Sequence, residues 1–260
     1  MELFGYFGAL CIGLILGLTG GGGSILTVPI LVYIMLIDPM IATAYSLFIV
    51  GTTSAFGAIQ NYQKGFVDLK NGFLFAIPSF IAVYLTRRFI VPLIPNILVQ
   101  DPILVTKSGF LMVFFACIMV LAAISMLKKK KTTEETVGNI SVFTLLIQTF
   151  AIGIIIGLVG AGGGFLIIPS LVLFAKLPMK KAVGTSLFII AINSLIGFLG
   201  DLQNITIDWK FLSFFTGISI VGIFIGIYLN KFVNETQLKK GFAYFVLLMA
   251  TFILVKEIVL

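Results

Sequence analysis

The sequence contains no histidine, two cysteines and one tryptophan, and only 10 % of its 260 residues are charged. Without histidine, the usual imidazole metal ligand and the usual general base are both missing. Cys11 and Cys117 each lie inside an apolar run. They read as small buried side chains, not as a disulfide or a metal site. A soluble domain carries about a quarter charged residues. What fills the space instead is apolar: 60 % of the chain is hydrophobic, and the mean hydropathy is +1.19. No soluble fold of this length could hide so much apolar surface, so the chain is expected to be an all-α integral membrane protein. The net charge of +7 does not point to nucleic acid. The basic residues sit between apolar runs, where the positive-inside rule puts them.

A shift of 140 residues brings the chain onto itself. Gly13, Gly17, Gly20, Gly22, Gly23 and Pro29 meet Gly153, Gly157, Gly160, Gly162, Gly163 and Pro169. Ser46-Leu47-Phe48-Ile49 meets Ser186-Leu187-Phe188-Ile189. Ser54, Gly57, Gln63, Asp68 and Lys70 meet Ser194, Gly197, Gln203, Asp208 and Lys210. Shared greasiness would not hold polar residues in register. The chain therefore reads as two homologous halves, 1–131 and 140–260, joined by a cytoplasmic linker at 132–139 next to the run Lys128 to Lys131. Leu3 to Leu18 lacks a basic region before it and belongs to the repeat, so it reads as part of the first half and not as a cleaved signal peptide.

Each half opens with a glycine-broken apolar stretch, about 4–36 and 142–175, followed by three apolar segments near 41–60, 72–92 and 103–127, then 182–200, 211–230 and 241–258. A spanning helix needs about 20 residues. The broken stretch is too long for one crossing and too short for two. It is either one kinked helix, with the halves pointing the same way, or a re-entrant pair, with the halves inverted. Charge arbitrates. On the re-entrant reading one side collects twelve basic residues, including Lys64, Lys70, Lys128 to Lys131, Lys180 and Lys181. The other side holds five: Arg87, Arg88, Lys107, Lys210 and Lys256. On the kinked reading the bias nearly vanishes. Inverted repeats with both termini outside are therefore expected, each half being a re-entrant helix pair plus three transmembrane helices.

A non-helical break at membrane depth survives only where it is buried in protein or lines a wet cavity. Short helices are expected to start near Ser24 and near Gly164, their first N–H groups free to meet an anion. Gly20, Gly21, Gly22, Gly23 and Ser24, with Gly160, Gly162, Gly163 and Gly164, are therefore candidate substrate-binding residues. In the next segment Ser46, Thr52, Thr53 and Ser54 face Thr185, Ser186, Asn193 and Ser194 as repeat partners or neighbours. Of these, Ser46, Thr53, Thr185, Ser186 and Asn193 are assigned to the site, as neutral donors suited to an anion. The alternative for each hydroxyl is a bond to its own helix backbone. Gly13-x-x-x-Gly17 and Gly153-x-x-x-Gly157 read as helix packing. Asp68 and Asp208 read as helix N-caps. Arg87 and Arg88 read as residues near a segment end that snorkel or form an anion vestibule.

At GLTGGGGSILTVP (17–29), GLVGAGGGFLIIP (157–169) and GTSLF (184–188) the chain resembles the sulfite exporter TauE/SafE family of bacterial membrane transporters. The resemblance covers nearly the whole chain. It implies transport of small anions, often sulfur oxyanions or organosulfonates, across the cytoplasmic membrane. One departure is Ala44-Tyr45-Ser46 where the second half has Gly184-Thr185-Ser186, which predicts unequal half-sites. The expected function is export of a small anion by a multi-pass inner-membrane protein. Its partners are that anion and the bilayer, with no nucleic acid, no metal and no cofactor; whether it forms a homo-oligomer is left open. The alternatives are uptake of a neutral solute or a cation, and a non-transporting membrane scaffold. An enzyme would want an acid, a base or a nucleophile in mutual reach, and the buried candidates offer none.

Overall fold

The structure is a computed structural model, and it describes residues 2–95, 97–99, 105–127, 142–160, 162–173, 175–202, 205–230, 232 and 235–259. The expected linker at 132–139 and the lysine run before it lie outside the described residues. In the first half, α1 (Glu2–Thr19) is followed by α2 (Ser24–Pro29), a π-helical turn Ile30–Ile34 and α3 (Pro39–Gln63). Next comes α4 (Leu69–Leu85), which runs through a second π turn, Thr86–Ile90, into the single turn α5 (Val91–Leu93). A two-stranded antiparallel pairing of β1 (Ile97–Val99) with β2 (Val105–Thr106) leads into α6 (Lys107–Leu127). This small hairpin is not expected from the sequence: β1 falls between the apolar segments at 72–92 and 103–127, and β2 at the start of the second. The second half repeats the helices: α7 (Val142–Val159), α8 (Gly164–Leu173), α9 (Met179–Asp201), α10 (Trp209–Leu229) and α11 (Glu235–Val259).

Four pairs of these helices start at positions 140 apart: α1 with α7, α2 with α8, α3 with α9, and α4 with α10. The local causes repeat too. Asp68 Oδ1 accepts the backbone N–H of Asn71 at 3.0 Å, and Asp208 Oδ1 accepts that of Phe211 at 3.0 Å. Each aspartate thereby satisfies a donor that the first helical turn leaves open. Leu36 and Lys176, also 140 apart, both take positive φ, 57° and 53°, where α2 and α8 hand over to the next helix. Pro29 closes α2 because it brings no N–H to the ladder, and the wider π turn continues from there.

Four helical segments are long and apolar enough to cross a membrane: Pro39–Gln63, Leu69–Leu93, Met179–Asp201 and Trp209–Leu229. Their exposed faces are studded with large apolar side chains such as Ile77, Phe214, Val221 and Phe224, as lipid contact demands.

How the helices run follows from which residues touch. Along α3 and α9, Leu47 lies by Gly197, Gly57 by Leu187 and Asn61 by Gly184, so the two helices are antiparallel. Within the first broken stretch, Gly5 packs on Met35, Gly8 on Ile30 and Gly23 on Leu16. The chain therefore doubles back at the glycines, and α2 returns along α1. The second stretch does the same: Gly163 packs on Ile156, and Thr149 and Ile152 share a cleft with Ile167 and Ser170. The halves are also laced crosswise. Gly13 and Gly17 of α1 lie backbone to backbone on Ser219, Ile223 and Gly226 of α10. Gly153 of α7 lies on the Ser79 backbone of α4, and Gly157 on the Val83 carbonyl and on the Thr86 side chain of the π turn that follows. A methyl at Gly13 would come within 2.8 Å of the Ile223 nitrogen, so this approach requires glycine.

Candidate glycine-break site between the two halves

The two glycine breaks meet at the centre. A methyl added at Gly21 would come within 2.7 Å of the Gly164 Cα, and one added at Gly164 would strike the Gly21 Cα. Gly20, Gly160, Gly162 and Gly163 all take positive φ, between 65° and 77°, a region that side-chain-bearing residues avoid. The N-terminal ends of α2 and α8 thus start from one shared point. On the first break, Thr19 Oγ1 accepts the N–H of Gly22 at 2.9 Å, and Ser24 Oγ donates to the Gly21 carbonyl at 2.7 Å.

The surrounding wall comes from α3 and α9. Gly20 sits against Val183, and its carbonyl accepts Ser186 Oγ at 2.7 Å. Gly160 sits against Thr43 and the Arg87 guanidinium. Gly162 faces Val50, Ile190 and Ser194, with a methyl there reaching within 3.0 Å of Ser194 Oγ. Gly23 and Gly163 are spent differently: each packs on its own hairpin partner, Leu16 and Ile156.

Ser194 Oγ, beside Gly162, is buried and has no protein partner. Ser46 Oγ and Ser54 Oγ on α3 and Asn193 Nδ2 on α9 are likewise buried without one. Leaving a buried donor unmade costs about 1–3 kcal/mol. Asn193 Oδ1 accepts Ser79 Oγ at 3.0 Å, and the equivalent Thr53 Oγ1 bonds Ser219 Oγ at 3.1 Å. These two bonds tie α9 to α4 and α3 to α10, each across the halves.

The candidates from sequence therefore divide. Gly20, Gly21, Gly160, Gly162, Gly164 and Ser186 make contacts at or beside the junction, while Ser46, Thr53 and Asn193 are buried on α3 and α9, the helices that wall it. Thr185 is turned elsewhere: its Oγ1 accepts the backbone N–H of Asp68 at 2.9 Å. Tyr45, at the equivalent place, accepts the N–H of Asp208 with its phenol oxygen at 2.7 Å. The departure at Ala44-Tyr45-Ser46 is thus one task done by two side chains of different reach.

The sequence reading left out four groups. Ser54 and Ser194 were weighed and not chosen, yet their hydroxyls carry no partner. Arg87 reads from the sequence as a snorkelling or vestibule residue, and Asp201 has no assigned role. The structure buries both, with Arg87 1 % and Asp201 5 % exposed, and pairs them at 3.1 Å beside Gly160. A signal existed: Ala76, Ser79, Val83 and Arg87 follow the buried face of α4 at helical spacing, as Ile190, Ser194, Gly197 and Asp201 do on α9. Among the described residues, no group of three or more His, Cys, Asp or Glu side chains is placed to hold a metal ion.

The model of the family described as "Sulfite exporter TauE/SafE" matches residues 6–253. The chain belongs to this family. A TauE/SafE-family chain is a membrane transporter, and this one carries several helices fit to cross the bilayer. It is 28 % identical over 203 residues to a probable membrane transporter protein of Xylella fastidiosa (strain 9a5c), covering 76 % of this chain and 73 % of the other. It is 25 % identical over 233 residues to a probable membrane transporter protein of Bacillus subtilis (strain 168), covering 77 % and 79 %. A probable membrane transporter protein of Methanocaldococcus jannaschii is 38 % identical over 109 residues, 40 % of this chain and 41 % of its own. No solved structure matches this TauE/SafE chain at a significant level.

Proposed function

We propose that this transporter exports a small sulfur-containing anion, sulfite or a sulfonate, across the cytoplasmic membrane, through a site where the two glycine breaks meet. The observation that carries the reading is the meeting of two breaks whose backbone only glycine can form, with the buried, partnerless Ser194 beside Gly162 and further partnerless donors, Ser46, Ser54 and Asn193, on the same two helices. Neutral donors and helix N-termini bind an anion through partial charges. They hold it less tightly than a buried cation would, which suits release on the far side. Recognition of the sulfur centre itself rests on the family's description.

The halves are taken to be inverted repeats in the bilayer, each broken stretch a re-entrant pair. The antiparallel course of α3 and α9 supports this, as do the doubled-back hairpins. The excess of basic residues on one side supports the same arrangement, with both termini outside. Transport then consists of rocking the halves about the junction, opening it to one face at a time. An interior-negative potential favours outward movement of an anion by about 2.3 kcal/mol per charge per 100 mV, so export needs no coupled ion.

Proteoliposomes holding the purified protein, with an imposed potassium-diffusion potential, test this. Sulfite or sulfonate flux should follow the sign and size of the potential and yield to competing small anions, not cations. Flux that ignores the potential would overturn the mechanism. Flux inhibited by cations and indifferent to anions would favour the carbonyl ends of the same broken helices as a cation site.

A further inference from the structure

Arg87 is a buried cation with two of its five N–H donors in use. Its Nη1 reaches Thr43 Oγ1 and Asp201 Oδ2, both at 3.1 Å. Its Nε and Nη2 are buried and meet no acceptor. These two nitrogens form one edge of the guanidinium, the edge that grips two oxygens of an oxyanion side by side. That edge is aimed at the second glycine break, for Nη2 lies against Gly160 so closely that a side chain there would collide with it. Ser46 Oγ, one turn beyond Thr43 on α3, and Thr86 Oγ1, next to Arg87, are also buried without partners.

The arrangement has a built-in contrast. Ser186 closes on the Gly20 carbonyl in one half, while its repeat partner Ser46 stays unbonded in the other. The positions equivalent to Arg87 and Asp201 are Ile227 and Asn61. The charged cluster therefore belongs to one end of the molecule only. It holds two cations, Arg87 and the buried Lys107, against the single carboxylate of Asp201. The Arg87–Asp201 pair uses only Nη1 of the guanidinium and leaves its Nε/Nη2 edge without an acceptor.

We propose that the Nε/Nη2 edge of Arg87, with Ser46 and Thr86, is a second anion subsite at the Gly160 end of the path, and that Asp201 holds the guanidinium between turnovers and competes with the arriving anion. The proposal rests on the anion reading above. The anion is a soluble, small oxyanion, because Arg87 is buried among α3, α9 and the glycine break after α7, away from the lipid-facing surface.

The experiment is sulfite titration of the purified protein by calorimetry, with flux in proteoliposomes alongside. Absence of sulfite binding and flux in the unaltered protein would remove the parent reading itself. Given binding there, the double variant Arg87→Gln/Asp201→Asn keeps neutral hydrogen-bonding groups in the pair and leaves no lone buried charge. It should unfold at a temperature near that of the unaltered protein and bind sulfite about 10- to 100-fold more weakly. Asp201→Asn alone should bind several-fold more tightly, the competitor having lost its charge. Unchanged affinity in the double variant would overturn the subsite and leave Arg87 a structural residue. Should the double variant fail to insert, Asp201→Asn decides alone, and unchanged or weaker binding overturns the proposal.

Discussion

Replacing Gly21 by alanine probes the contact on which the site depends. The added methyl would lie 2.7 Å from both Cα and carbonyl C of Gly164, and 2.8 Å from its oxygen. All three are backbone atoms, so no side-chain rotation relieves the overlap. Carbon atoms meet comfortably at about 3.5–4.0 Å, so the two hairpin tips must part by about 1 Å. Forced overpacking of this kind costs about 1–3 kcal/mol. Gly21 is not among the glycines with positive φ, so alanine itself fits the backbone and returns about 0.4–1 kcal/mol by restricting the unfolded chain. The net loss is about 1–2 kcal/mol, or roughly 2–8 °C in the unfolding midpoint. Gly217→Ala is the control, because nothing lies within 4 Å of a methyl there. Thermal unfolding in detergent should separate the two variants by that margin. A Gly21→Ala protein as stable as Gly217→Ala would refute the meeting of the two breaks.

Other consequences follow from the crosswise ties. Thr185→Val and Tyr45→Phe each remove the acceptor of an N-cap aspartate N–H, and each should cost about 1–3 kcal/mol in thermal unfolding. Gly13→Val drives a branched side chain into the α10 backbone and should abolish a stably folded protein, read as loss of the monodisperse peak in size exclusion. The Asp68 carboxyl is held below the usual range, chiefly by the Asn71 backbone N–H, then by the Asn71 side chain and by Lys181, against some burial. Its contribution is therefore complete above the unfolded value of about 3.9 and fades as pH falls through the lower folded value. The stability gap between the unaltered protein and Asp68→Asn should be flat from neutral pH to about pH 5, then close in acid; a gap that instead closes with rising pH would reverse the assignment.

Features set by neighbouring residues were legible in the sequence. The helix starts at Ser24 and Gly164 follow from glycine runs that end just there. The caps at Asp68 and Asp208 follow from an aspartate placed just ahead of an apolar run. The repeat was legible because polar residues kept register. What escaped was set by partners distant in sequence. Arg87 and Asp201 are 114 residues apart, and each stands near the end of an apolar segment, where a charge is ordinarily solvated. Only the packing of α4 on α9, with the π turn at Thr86–Ile90 carrying the helix onward, encloses the pair. The hydrogen bond of Thr185 is hidden from the sequence for a related reason. A hydroxyl near a glycine motif looks like a ligand until the loop before α4 arrives to take its oxygen.

The claim that an oxyanion sits among the glycine breaks is tested most directly by locating one. Selenite has the shape of sulfite and scatters anomalously, so crystals grown with it would report the site as a difference peak. The account predicts a peak between the Gly21–Gly164 junction and the donors of Ser194 and Asn193, or on the free edge of Arg87. A selenite-transporting protein with its peak outside the region bounded by α3, α9 and the two breaks would contradict it.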